Sequence, residues 1–217
     1  MMKRKNFKIY ILFFCLLCNG VSFLHAQADD FRTWTGISAK HKFSKELSLA
    51  GKLELRTKDS MKKMDRFGAF LSGSYKLFPF LNADAGYELH YRTVNEGWRF
   101  RHRYHLGVVG HLKWQQFKFS LRERFQQTLS EGEAENRLRS RLKVAFEPEK
   151  WRVSPYFSVE LYQAIGDAAF FDVSRMRYRP GVEIGLSERW SLDVFYCYQY
   201  ETEHKRHILG VECGFAF

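Results

Sequence analysis

Leu81-Asn82-Ala83-Asp84-Ala85-Gly86-Tyr87-Glu88-Leu89-His90-Tyr91-Arg92 is the run on which the reading of this chain turns. Leu81, Ala83, Ala85, Tyr87, Leu89 and Tyr91 take every second place, and Asn82, Asp84, Gly86, Glu88, His90 and Arg92 fill the places between. Side chains along a strand point alternately to its two faces, so this is a β-strand with one apolar and one polar face. It is also long. A tilted strand needs about 9–11 residues to cross a bilayer, whereas strands of water-soluble proteins usually have about 5–6.

The pattern continues in both directions. Upstream, Leu47, Leu49, Leu53 and Leu55 alternate with Ser48, Lys52, Glu54 and Arg56, and Phe67, Ala69, Leu71, Tyr75 and Leu77 form another apolar face. Downstream, similar faces begin at Trp98, Phe117, Leu138, Val153, Met176, Leu192 and Leu209, and Thr33 to Phe43 is a weaker first candidate. That makes eleven segments. Single-chain bacterial barrels normally have an even number of strands, so the expectation is an all-β, antiparallel transmembrane β-barrel of 10–12 strands. Short links near 44–46, 78–80, 110–111, 148–150 and 187–189 alternate with longer polar ones near 58–64, 93–97, 129–135, 163–174 and 201–206. The expected layout is therefore short periplasmic turns and longer extracellular loops.

The N-terminus reads differently. Lys3, Arg4, Lys5 and Lys8 precede an apolar run from Ile9 to Leu17, and Ala26-Gln27-Ala28 follows with small residues where a signal peptidase reads. This order predicts a signal peptide over 1–28, cut after Ala28 or alternatively Ala26, with the barrel over 29–217. The alternatives are an uncleaved anchor or a lipoprotein cut at Cys18, the latter disfavoured by the bulky Leu17. Cleavage removes four of 35 basic residues and none of 24 acidic ones, so the net charge falls from +11 to +7. It also removes Cys15 and Cys18. Cys197 and Cys213 remain on opposite faces by this register, so no disulfide is expected and no zinc-type cysteine pair exists. Mean hydropathy is −0.41, and no later apolar run approaches 18 residues, which excludes a helical membrane protein but not a barrel.

Aromatic residues gather at strand ends. Trp114, Trp151, Trp190, Phe78 and Phe80 fit one interfacial girdle, and Tyr91, Trp98, Tyr178, Tyr198 and Tyr200 fit the other. Phe217 ends an alternating series through Phe215, Cys213, Val211 and Leu209. This resembles the C-terminal signal by which barrel-assembly machinery recognises its clients. The expected location is the outer membrane of a Gram-negative bacterium, with lipid and that machinery as partners.

The runs Glu46–Arg56, Asp65–Phe67, Arg101–Arg103, Leu121–Gln127, Arg137–Phe146, Pro155–Gln163 and Arg177–Gly185 are similar to an outer-membrane family known as domain of unknown function 2490. The likeness spans nearly all of the expected mature chain. It implies a membrane barrel, and it brings no substrate and no catalytic residue.

The polar faces are dense in arginine. Arg99, Arg101 and Arg103 recur as Arg137, Arg139 and Arg141 and again as Arg175, Arg177 and Arg179, each set 38 residues after the last. With Arg56, Arg66, Arg92, Arg122 and Arg124 they are expected to line a lumen, beside the acids Glu54, Asp84, Glu88, Glu160, Glu183 and Asp193. An arginine facing lipid near the midplane costs about 2–4 kcal/mol, so this charge belongs inside. Two readings stand: a narrow pore for anionic solutes such as acidic sugars, or a closed structural or surface-binding barrel whose lumen is filled by salt bridges. A third class, a lipid hydrolase or acyltransferase, needs a nucleophile within reach of a base. His102 and Ser140 are the tempting outward pair, but an intervening strand separates them. No catalytic residue, metal or cofactor is therefore expected. Basic charge enclosed in a lumen is not a nucleic-acid surface either.

Overall fold

The computed structural model describes residues 30–94, 97–149, 151–166, 172–202 and 204–217. The expected signal peptide, residues 1–28, lies outside them, as do Phe170 and Phe171 at the tip of an expected loop. Eleven strands follow in order: β1 (Asp30–Lys42), β2 (Leu47–Lys58), β3 (Lys63–Phe78), β4 (Leu81–Val94), β5 (Gly97–Trp114), β6 (Phe117–Ser130), β7 (Glu133–Phe146), β8 (Val153–Ile165), β9 (Val173–Gly185), β10 (Trp190–Glu201) and β11 (His204–Ala216). Each pairs with its sequence neighbours, and β1 pairs with β11 to close the barrel.

Eleven strands match the eleven segments read from the sequence and fall within the expected 10–12, although not on the even number usual for such barrels. An odd number makes the first and last strands run the same way, and β1 and β11 are indeed parallel, from Asp30 opposite Arg206 to Lys40 opposite Ala216. Every other pair is antiparallel. Asp30 and Phe217 therefore lie at opposite rims.

The directly opposed residues can be followed once round the wall. The circuit starts at Lys113 and passes through Lys118, Ala145, Tyr156, Gly181, Phe195, Gly210, Trp34, Arg56, Arg66 and Arg92. It returns to β5 at Arg99, fourteen residues from its start. A shear of this size tilts eleven strands by about 40–45° and gives a backbone radius of roughly 11 Å. Side chains the length of arginine reach most of the way from the wall to the axis of such a bore.

The expected contrast between short and long connections is mostly absorbed by the strands. The links near 58–64 and 129–135 shrink to 59–62 and 131–132, β5 runs straight through the short link expected at 110–111 so that the turn falls at 115–116, and seven residues separate the end of β8 from the start of β9. The reason is that the polar residues flanking these links keep alternating inward and stay paired. At the tip of β6–β7, Glu131 (φ 54°) and Gly132 (φ 86°) are both left-handed, which is the two-residue turn that matches the twist of antiparallel strands. On the other rim the link 147–152 is of comparable length.

The wall is apolar outside and charged inside. Leu71, Leu106, Leu112 and Phe100 are exposed on the outer surface, whereas Glu54, Asp84, Glu88 and Glu160 are buried within. This inverts a water-soluble barrel and is the arrangement that lipid demands of a closed sheet. The inner face is not uniformly polar, however. Trp34, Tyr156, Phe195, Cys197 and Ile208 are buried there together with Ala145. Along the circuit above, small and large residues alternate: Ala145, Tyr156, Gly181, Phe195, Gly210, Trp34. Each ring covers a position without a bulky side chain, and the row then continues as Arg56, Arg66, Arg92 and Arg99. Along this one row, an aromatic belt thus gives way to arginines, while β7 and β9 carry further arginines into the lumen at other levels.

Candidate functional site: the arginine-lined lumen

The lumen contains a cavity of about 520 Å³. Fifteen arginines and Lys52 border it, against six carboxylates. Of the arginines expected inside, Arg56, Arg66, Arg92, Arg101, Arg103, Arg122, Arg124, Arg137, Arg139, Arg141, Arg175, Arg177 and Arg179 reach it, with the acids Glu54, Glu88 and Glu160. Arg99 and Glu183 do not. Arg99 lies in β5 beyond His102, where pairing with β6 begins, and it meets Glu131 of the β6–β7 turn. Glu183 sits near the other rim, half exposed, 2.5 Å from Lys143. Asp193 is inward but lies beneath the aromatic belt, where Arg179 (2.5 Å) and the Tyr156 hydroxyl (2.9 Å) both reach it.

The acids act as hubs because they are outnumbered. Glu54 Oε1 receives Arg56 (2.5 Å) and Arg66 (3.0 Å), and its Oε2 receives Lys52 (3.2 Å). Glu160 Oε1 accepts from Arg122 (2.5 Å) and Arg139 (3.0 Å), while its Oε2 accepts from Tyr162 (2.8 Å) and faces Arg177 at 3.5 Å. Glu88 holds Arg103 (2.9 Å) and His90 (3.0 Å). Asp84 holds Arg124 at 2.6 Å. Desolvated charges of this kind persist only when paired and hydrogen-bonded.

Several groups that sequence reading missed complete the network. Asp65 is the extra residue of a β-bulge, since Arg56 opposes Arg66 and Thr57 opposes Met64. The bulge turns Asp65 inward, 3.3 Å from Arg92 and 3.8 Å from Arg32. Glu201 holds Arg175 (2.5 Å) and Arg206 (2.8 Å). Rings take some guanidinium charge directly: Arg56 stacks on Trp34 at 3.6 Å and Arg179 on Phe195 at 3.4 Å. Even alternation carried no sign of a bulge. The inward aromatics were visible as alternation partners, but nothing local said that they would cluster.

On the outer wall, His102 and Ser140 stay apart on β5 and β7. Each has another partner: the Tyr87 hydroxyl lies 2.7 Å from His102 Nδ1, and Ser140 Oγ donates to Glu123 at 2.6 Å. Among the described residues, no group of three or more His, Cys, Asp or Glu is placed to hold a metal ion.

Both cysteines among the described residues are free, with Cys197 1 % exposed inside and Cys213 on the outward face. This gives a labelling test of the register. In the membrane-inserted barrel, an Arg101→Cys variant should react with a water-soluble thiol reagent, and Cys213 with a membrane-soluble maleimide, while Cys197 stays unmodified. Exchange of the first two reactivities would mean a one-residue slip, which moves every side chain to the other face.

The NanC porin aligns with a TM-score of 0.50 and 11% identity over 79% of this chain and 87% of its own. The translocator domain of the autotransporter NalP from Neisseria meningitidis aligns with a TM-score of 0.49 and 11% identity over 77% and 73%. At such identity the porin likeness concerns the fold, and the fold is that of an outer-membrane barrel. No curated protein matches the sequence. A family profile described as protein of unknown function (DUF2490) matches residues 31–208, and the chain belongs to that family.

Proposed function

We propose that this barrel is a narrow, arginine-lined passage for small anionic solutes in the outer membrane of a Gram-negative bacterium. The observation that carries the reading is the excess of fifteen arginines over six carboxylates around one luminal cavity. Glu54, Asp65 and Glu160 are each already shared between cations, and Glu88, Glu135 and Glu212 each engage one arginine or lysine, so positive charge is left over and faces the void. Walls of low dielectric focus that charge and raise the local concentration of anions. Acidic sugars and other small organic acids are the natural cargo. Outer-membrane lipid covers the apolar outer wall, and barrel-assembly machinery engages the strand ending at Phe217. The charge is enclosed, so nucleic acid is no partner. A passage is favoured over a hydrolase because the Ser140 hydroxyl donates to Glu123 rather than to an imidazole, so it has no base partner at that place.

The test is conductance of the refolded protein in a planar bilayer under a salt gradient. The expected result is a small, steady conductance whose reversal potential has the sign of anion preference. A silent bilayer, from protein shown to be folded, would favour a closed barrel that acts through its outer surface. The interlocked ion pairs of Glu54 and Glu160 are the observation on that side.

A further inference from the structure

A second, smaller void of about 190 Å³ adjoins Arg122, Arg124 and Arg141, which also border the main cavity. It lies toward the rim of the 43–46 turn, since Lys40 and Ser48 flank that turn and line the void. The three arginines belong to a block of four on neighbouring strands. Arg122 is directly opposite Arg141, and Arg124 is directly opposite Arg139. Like charges opposite each other on one face destabilise a sheet. Three of the four have counter-charges: Arg122 and Arg139 share Glu160 Oε1, and Arg124 has Asp84. Arg141 has none within 4 Å among the described residues. It stands opposite Glu160 on β8, yet the oxygens of Glu160 are engaged by Arg122, Arg139, Tyr162 and Arg177. The Arg141 Nε is buried without a hydrogen-bond partner.

The lining also includes one carboxylate among the described residues, Asp84, whose charge is taken by Arg124 at 2.6 Å, and the facing wall supplies donors of another kind. Ser48, Ser72 and Ser74 come from β2 and β3, and Lys40 comes from β1. Ser48 and Ser74 are cross-strand partners, so their hydroxyls start from neighbouring points of one face. A guanidinium with an unmet donor opposite hydroxyls and an ammonium matches an anion that has several oxygens. A halide offers a single centre and cannot accept two parallel N–H bonds, whereas a carboxylate, sulfate or phosphate group can.

We infer that this chamber is an oxyanion-binding site centred on Arg141, so that the barrel prefers compact oxyanions to halides. The inference rests on the passage reading for its role in transport, but binding at the site does not require an open channel. A bound oxyanion would supply the counter-charge that Glu160 and Asp84 cannot extend to Arg141. It would bridge the arginines of β6 and β7 to the serines of β2 and β3.

The experiment uses the folded barrel in detergent and in bilayers, with inorganic phosphate, sulfate and chloride as probes. Calorimetry should show saturable phosphate or sulfate binding that chloride does not match. Arg141→Gln should weaken it at least tenfold, and Arg99→Gln, at the other rim and outside the cavity, should leave it within about twofold. Arg141→Gln removes a like charge and no ion pair, so it should fold, which heat-dependent gel mobility checks. In bilayers, phosphate should reduce the chloride current saturably, and Arg141→Gln should relieve that block. Absence of saturable binding, or binding indifferent to Arg141→Gln, overturns the site, and an anion-preferring conductance that survives this leaves the passage reading intact. Binding that depends on Arg141 in a barrel that conducts nothing keeps the site and overturns the passage.

Discussion

Replacing Glu160 with glutamine is expected to destabilise the barrel by about 3–5 kcal/mol, the usual consequence of removing one partner from a buried ion pair. The side chain keeps its size, so packing is not the cause. Arg122 and Arg139 lie 2.5 and 3.0 Å from one Glu160 oxygen, and Arg177 lies 3.5 Å from the other. An amide presents no negative charge to these cations, and the direct opposition of Arg122 to Arg141 and of Arg124 to Arg139 is then left unscreened. Urea unfolding from lipid vesicles measures the loss. The same change makes the lumen more positive, so anion preference in bilayers should rise. A loss below about 1 kcal/mol would show that lumen water, rather than the carboxylate, holds these guanidinium groups.

Gly210→Ala is the second substitution with a large expected effect. A Cβ at this place would stand 1.9 Å from Phe195 Cζ, and no side-chain adjustment of a ring buried to 2 % exposure absorbs that. The ring is itself pinned, with Arg179 on its face at 3.4 Å and Trp34 edge-on at a centroid distance of 6.3 Å. Overpacking a filled interior costs about 1–3 kcal/mol and sometimes more, and this contact belongs at the upper end. In a Phe195→Leu background, Gly210→Ala should cost less than about 1 kcal/mol. The difference between the two backgrounds is a coupling energy, and a coupling near zero would mean that the ring does not lie over Gly210. A luminal effect accompanies the stability effect. Displacing Phe195 moves Arg179, and with it the pairing of Asp193 and Tyr156.

Much of this protein is written locally. Alternation from Leu81 to Arg92, repeated along the chain, determined the strands, which face of each meets lipid and which residues enter the lumen. That follows because a strand has period two and a bilayer rejects charge, so sequence order alone assigns each side chain a side. The three arginine triplets, 38 residues apart, announced a basic interior for the same reason.

What the tertiary structure decided are the relations between strands. Closure with eleven strands and a parallel seam depends on how β1 meets β11, a pairing of residues 176 apart that no local pattern encodes. The inward turn of Asp65 required the bulge opposite Arg56 and Thr57. The meeting of Trp34, Tyr156 and Phe195 over glycines required a shear of fourteen to bring them into one row. Which arginine finds a carboxylate is likewise set across the bore. Arg122 and Arg141 look alike in sequence, but one reaches Glu160 and the other does not, because a carboxylate has only two oxygens and the neighbours of Glu160 occupy both.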